Sequence, residues 1–204
     1  VLTSIHQVFF QYEVCPREHN KKILTMVKSV LADAKLKLAE IDAIAFGSGP
    51  GSFTGVRITT GIVQGLAYGA NKPVIGISSL AAMAHGVYRR VAEVNNAEPT
   101  SAAPVKVISA IDARMAEIYL GVYEVSHIGQ ARAIQEEQVV CPNGALEVLT
   151  VDTDWQAIGT GWQTYEAVLS SQINATVDAD NLFPHAIDIA YLASDAFSQG
   201  QGVS

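Results

Sequence analysis

Apolar residues recur along the chain in two rhythms, and the switches between them divide it into elements. Val8 to Val14 has the aromatic and β-branched content of a strand, with Val1 to Ile5 as its hairpin neighbour across Ser4 to Gln7. Pro16 is expected to open a helix from Arg17 to Ala39, because Ile23, Val27, Val30, Leu31, Ala34 and Leu38 fall on one face with Met26 beside them. A strand follows at Ile41 to Phe46. A glycine-rich turn then leads into a second helix, ending near Ala70, that carries Val56, Ile58, Ile62, Val63, Leu66 and Ala67 at helical spacing. Pro73 to Ile77 predicts a short strand, and Ser78 or Ser79 caps a helix over Leu80 to Arg90. Strand, helix, strand, helix with short connections implies a parallel sheet with right-handed crossovers.

The run Val91 to Pro104 is rich in Ala, Asn, Pro and Ser and reads as a linker. Beyond it, Val105 to Ile111 predicts a buried strand, and Ile118 to Val125 with a further strand to about Val140 predicts a meander. Gly144 to Leu149 reads as a short helix, Gln156 to Ile158 as a strand, and Gln163 to Ser171 as a helix. Pro184 near the first turn and Gly200 just past the end bracket a last helix over Ile187 to Phe197.

The glycine turn is the most unusual stretch. Seven of the sixteen glycines lie between Gly47 and Gly69, and Pro50 between two glycines excludes regular structure from the turn itself. Gly49, Gly51, Ser52 and Arg57 are candidates for anion binding, since a helix start offers free N–H groups and a positive dipole end. Neither the P-loop nor the dinucleotide spelling is met: no Lys follows, and the third glycine comes at Gly55. A close-packed turn is therefore the preferred reading. Gly61, Gly65 and Gly69 then leave one helix stripe bare, at a cost of roughly 1 kcal/mol each relative to alanine. Either another backbone approaches that stripe or it packs inside its own domain.

Composition narrows the class. With 204 residues, 49% hydrophobic and 16% charged, the chain has material for a sizeable core. The formal net charge is −7 and no Lys or Arg follows Arg132, so the later half would repel a phosphate backbone. Bases cluster instead at Arg17, Lys21, Lys22, Lys28, Lys35 and Lys37, as on a solvated helix face. Two cysteines, Cys15 and Cys141, are too few for a disulfide framework, and a cytoplasmic location is expected. No apolar run reaches membrane-spanning length.

Little chemistry is spelled out. The histidines are scattered, no Ser sits in a Gly-x-Ser-x-Gly elbow, and Cys15 with His19 lacks a third metal ligand. Asp112, Arg114 and Glu117 read as an ion-pair and turn-capping cluster in preference to catalytic groups. His85 reads as structural or surface, because no second His lies one turn away.

Several segments, in order, carry a resemblance: Gly-Pro-Gly-Ser-Phe-Thr-Gly-Val-Arg-Ile at 49–58, Cys-Pro-Arg-Glu-His at 15–19, Ile-Gly-Ile-Ser-Ser-Leu at 75–80, Asp-Ala-Arg-x-x-Glu-Ile-Tyr at 112–119 and Gly-Thr-Gly-Trp at 159–162. Together they resemble the bacterial YeaZ family, also called TsaB, which is similar to the catalytic subunit TsaD. The resemblance implies a two-lobed α/β fold of the actin-like, Hsp70-like ATPase type. Residues 1–102, completed by the helix at 184–200, would form the first lobe, and 103–183 the second. The resemblance also implies a non-catalytic subunit that binds and activates TsaD in making threonylcarbamoyladenosine, at the adenosine next to the anticodon of tRNAs reading codons that begin with A. TsaE, an ATPase, would join the assembly. A homodimer would form when the chain is alone, and tRNA would be met only through the complex. ATP or ADP would enter at the level of the complex, and no cofactor of the chain's own is implied. Val27, Val30, Leu31, Gly61, Gly65 and Gly69 are the expected partner interface.

TsaD-type enzymes carry a His-x-x-x-His pair that holds a metal, and the matching helix here has His85 followed by Arg89. No metal site is implied. The Asp-Thr segment with which the family begins would precede Val1, and its last segment would follow residue 199, so a chain truncated at both ends is expected. A glycoprotease-like peptidase and an ATP-binding chaperone-like module are the alternatives.

Overall fold

In the computed structural model, residues 2–4, 7–15, 18–94, 103–147, 149 and 154–202 are described. The helix opening predicted at Pro16, the middle of the hairpin connection predicted across Ser4 to Gln7, and residues 95–102 of the predicted linker lie outside them. Strands β1 (Leu2–Ser4) and β2 (Gln7–Phe9) form an antiparallel pair. The predicted strand does not continue to Val14. Residues 10–15 are not in a strand, and Phe10 and Tyr12 set their rings against His185, at 5.8 and 4.5 Å between centroids.

Helix α1 (His19–Asp33) stops six residues short of the predicted Ala39. Lys35 adopts φ 57°, and the Leu36 N–H reaches back to the Leu31 carbonyl while the Lys35 N–H bonds Ala32, a Schellman ending. Leu38–Glu40 is a separate 3-10 turn. The apolar spacing runs on past Lys35, but the backbone has already reversed.

Next comes a β–α–β unit. β3 (Ile44–Gly49) and β4 (Val74–Ser78) pair in parallel, connected by α2 (Phe53–Ala70). Ser52 caps α2 by accepting from the Gly55 N–H at 3.1 Å, and left-handed Asn71 closes it. Ser78 caps α3 (Ser79–Val94) through the N–H groups of Leu80 and Ala81, and α3 runs four residues beyond Arg90 into the predicted linker.

The second sheet has five strands in the order β7-β6-β5-β8-β9, comprising β5 (Val105–Arg114), β6 (Glu117–Val125), β7 (Arg132–Val140), β8 (Trp155–Ile158) and β9 (Ala175–Asp178). β7-β6-β5 is the antiparallel meander, and β8 and β9 add in parallel. Both faces of the central strands β6, β5 and β8 are covered, so alternate residues there serve two cores, while the edge strand β7 is largely exposed. Ile108, Ile118, Leu120, Val122, Trp155 and Ala157 pack with Trp162 and Leu169 of α4 (Thr160–Ser170), while Val107, Tyr123, Val125 and Ile158 pack with Leu80, Met83, Val87 and Tyr88 of α3. Trp162 donates its indole N–H to the Ile108 carbonyl at 3.2 Å. The helix predicted at 144–149 is a series of turns at 142–147, because the carbonyls of Pro142 and Gly144 accept from only three residues ahead.

The last helix, α5 (Ala186–Ser198), begins with His185 as cap, so Pro184 lies just outside it and not in its first turn. Left-handed Gly200 closes the far end as expected. α5 returns to pack on β3, β4 and α3.

One junction tolerates no side chain. A Cβ at Gly161 would lie 2.9–3.0 Å from the backbone of Ala110, which cannot swing aside. Gly161→Ala is expected to destabilise the chain by about 2–3 kcal/mol, visible as a lower Tm by circular dichroism.

Candidate functional site

Two places concentrate unusual residues, the glycine turn with its helix and a buried charge cluster between α3 and α5. At the turn, Gly49 takes φ 103°, and side chains placed on Gly49 or Gly51 would meet Val56 at 3.6–3.7 Å. The turn is thus folded onto its own helix. Gly55 is bare because a Cβ would stand 2.6 Å from the capping Ser52 hydroxyl. Arg57 lays its guanidinium 3.6 Å over the ring of Phe53, a cation–π contact on an exposed ring. Of the four anion candidates, Ser52 is committed to the cap and Arg57 to Phe53.

The bare stripe of α2 is open. Ideal Cβ atoms at Gly61, Gly65 and Gly69 have nothing within 4 Å, and all three residues are exposed. Tyr68, on the same helix, is 93% exposed and Phe53 70%. The opposite side carries the buried Val63 and Ala67. On α1, Val30 is buried whereas Val27 and Leu31 are half-buried.

The buried cluster centres on Asp188, whose side chain is 1% exposed. His85 on α3 is fully buried and meets Asp188 Oδ1 through Nδ1 at 2.8 Å. The Gly129 N–H donates to His85 Nε2 at 3.0 Å, so that nitrogen carries no proton and Nδ1–H is the donor to Asp188. Arg89 completes the shell, donating from Nε to Oδ1 at 2.9 Å and from Nη2 to Oδ2 at 3.1 Å. Gly86 makes room: a Cβ there would sit 2.9 Å from Asp188 Oδ2. Alongside, Arg90 pairs with Asp178 at 2.7 Å, tying α3 to the end of β9. Burial alone would raise the Asp188 carboxyl, but the hydrogen bonds from His85 and Arg89 outweigh it and hold it below the usual carboxylate value.

Of the two readings open for His85, structural or surface, its complete burial excludes the surface one, and both ring nitrogens are engaged within the chain. Asp188, Gly86 and Gly129 were not singled out beforehand. The available signals were a carboxylate on the apolar side of the last helix and a lone glycine inside a well-formed one. A metal of the kind held by a His-x-x-x-His pair does not fit here, since the second position is a cation already bound to the carboxylate. Among the described residues, no three His, Cys, Asp or Glu side chains gather to hold an ion. Cys15 is half-buried, and the His19 side chain lies outside the description. Asp112 does cap its own turn, accepting from the Arg114 N–H at 2.9 Å and pairing with its guanidinium at 3.3 Å, while Glu117 is exposed.

A β–α–β unit and a five-stranded mixed sheet, with a final helix returning to the first, is the architecture of the actin-like, Hsp70-like ATPase group. The family model for tRNA N6-adenosine threonylcarbamoyltransferase, TsaD, matches residues 10–197. The chain belongs to this family, and within it to the group named TsaB or YeaZ. It is 39% identical over 194 residues to the tRNA threonylcarbamoyladenosine biosynthesis protein TsaB of Escherichia coli K12, covering 95% of this chain and 79% of that protein. The Haemophilus influenzae protein of the same name is 38% identical over 199 residues, covering 94% and 78%. A solved structure, YeaZ from Pseudomonas aeruginosa, superposes with a TM-score of 0.82 at 40% identity, covering 95% of this chain and 84% of that one. Among the described residues, no helix is long and apolar enough to cross a membrane.

Removing one partner from a buried ion pair leaves an uncompensated charge, so Asp188→Ala is expected to cost about 3–5 kcal/mol. Because the folded-state value of Asp188 is depressed below 3.8, its contribution is present above that pH and is lost as pH falls through the folded value. Urea unfolding of the wild type should weaken on acidification from pH 4 to pH 2, and Asp188→Asn should flatten part of that dependence. An unchanged acid slope in the variant would remove Asp188 from the account.

Proposed function

We propose that this chain is a non-catalytic cytoplasmic subunit that binds and activates a TsaD-type threonylcarbamoyltransferase. The product is threonylcarbamoyladenosine, at the adenosine next to the anticodon of tRNAs reading codons that begin with A. The observation that carries the reading is the uncovered face of α2, where three glycines sit in open space on a helix that also exposes Phe53 and Tyr68. Such a face costs helix stability in the isolated chain and lets a second backbone come close. Val27 and Leu31 of α1, half-buried, are assigned to the same interface, with Val30 supporting it from within. The noncatalytic role is supported by His85 and Arg89, both engaged with Asp188 at the place where catalytic relatives hold a metal.

The same face serves a second copy of the chain when it is alone, so homodimer and heterodimer compete. The ATPase TsaE joins the assembly, nucleotide enters at the level of the complex, and tRNA is met there too. The −7 charge gives the chain alone negligible tRNA affinity at physiological salt. We assign residues 1–102 and the helix at 184–200 to one lobe and 103–183 to the other, a division supported by α5 packing on β3 and β4.

Two substitutions at one position test the interface. Gly65→Ala should stabilise the isolated chain by up to about 1 kcal/mol, since nothing stands in the way of the methyl group. Gly65→Leu should keep the native circular dichroism spectrum yet weaken both self-association and binding to TsaD by tenfold or more in size-exclusion and titration measurements, with a matching loss of threonylcarbamoyladenosine in the reconstituted reaction. Full activity and unchanged elution for Gly65→Leu would contradict the assignment.

A further inference from the structure

A carboxylate with almost no access to water stays ionised only beside a cation or several donors. Asp188 has both. Its two oxygens take Nδ1–H of His85 and a two-point contact from Arg89, and every one of these groups is held by a different constraint: His85 by Gly129, Arg89 by Glu93 at 3.0 Å, and the carboxylate by the bare Gly86 beneath it. Arg89 follows His85 at an offset of four, on one face of α3. An imidazole, a carboxylate and a residue one turn along the same face are three points of a tetrahedral divalent-metal site, if the third residue is an imidazole. Here it is a guanidinium.

We propose that Arg89 is a built-in cation standing where a metal ion would otherwise bind, so that His85, Arg89 and Asp188 form a structural crosslink closed to metals. Its charge neutralises Asp188, its planar fork sets the carboxylate plane, and the carboxylate in turn holds His85 in the tautomer that accepts from Gly129. Three segments remote in sequence, α3, α5 and the turn at 128–129, are thereby joined at one point, as a structural zinc would join them. Alongside, Arg90 pairs with the part-buried Asp178, and its Nη1 is within 3.0 Å of where a Cβ of Gly86 would be. The inference goes beyond the partner-subunit reading and holds whether or not the chain assembles with TsaD.

Cobalt(II) is a suitable probe, because its visible absorption reports tetrahedral nitrogen and oxygen coordination. The wild-type chain should take up no cobalt at this cluster. Arg89→His should bind one equivalent with the corresponding absorption, and the added change His85→Ala should abolish it. Should Arg89→His be unfolded without metal, cobalt is expected to restore the native circular dichroism spectrum. Arg89→Ala, with the cation simply removed, should have a lowered Tm that millimolar zinc raises by about 5 °C or more, and not in Arg89→Ala with His85→Ala. Wild-type cobalt binding that depends on His85 would overturn the proposal, as would an Arg89→His chain that neither binds cobalt nor refolds with it.

Discussion

Helix α3 has to be buried against two sheets at once while carrying His85, Arg89 and Arg90, and that constraint organises the molecule. Leu80, Ala82, Ala84 and Tyr88 are wholly inaccessible, so most of the helix is core. A helix placed this way can hold charges only if each finds a partner from another element, and Asp188 on α5 and Asp178 on β9 supply them. Tyr88 and Ser109 add ties of the same kind: the Tyr88 hydroxyl donates to the Ser126 carbonyl at 2.8 Å, and the Ser109 hydroxyl to Leu80 at 2.9 Å. The polar groups that would penalise burial therefore tie α3 to α5 and to the five-stranded sheet, beside the apolar packing of Leu80, Met83 and Val87.

α2 is the opposite case. It has the same origin, following a strand in one β–α–β unit, but only one side of it is covered. Interior glycines in α2 lower the stability of the lone chain, whereas Gly86 of α3 admits a carboxylate and Gly161 of α4 admits a strand backbone. Within one chain, then, glycines that serve internal packing can be told from glycines that face nothing. The latter make sense as a surface completed by another molecule, which is the basis for reading the protein as a subunit.

Much of this was legible beforehand where the signals are local. The order of elements from β3 through α3 was readable and the helix starts were exact to within a residue, because Ser52 and Ser78 are caps, but β3 lies three residues later than Ile41–Phe46 and runs into the glycine turn, and α3 continues four residues past Arg90. The end of α1 was not, since Lys35 occupies the left-handed position where glycine is the usual mark. Phe10 to Val14 has strand composition, but composition does not supply a neighbouring strand. β9 was missed because its four residues acquire their identity by pairing with β8. Of the buried cluster, only His85 and Arg89 drew notice. Asp188 lies 103 positions from His85, and no periodicity reports a contact at that range. The glycine stripe was visible as a pattern, yet whether it faced protein or open space needed the fold.

The central claim is that the uncovered face of α2 is where the partner sits. Backbone amide resonances of Gly61, Gly65 and Gly69 in the isotope-labelled chain, followed as unlabelled TsaD is added, test it most directly. The account predicts shifts or line broadening concentrated on these three glycines and on Tyr68, with the amides of the α4 helix unmoved. Complex formation that leaves all three glycine resonances unchanged, with perturbations gathered elsewhere on the chain, would contradict it.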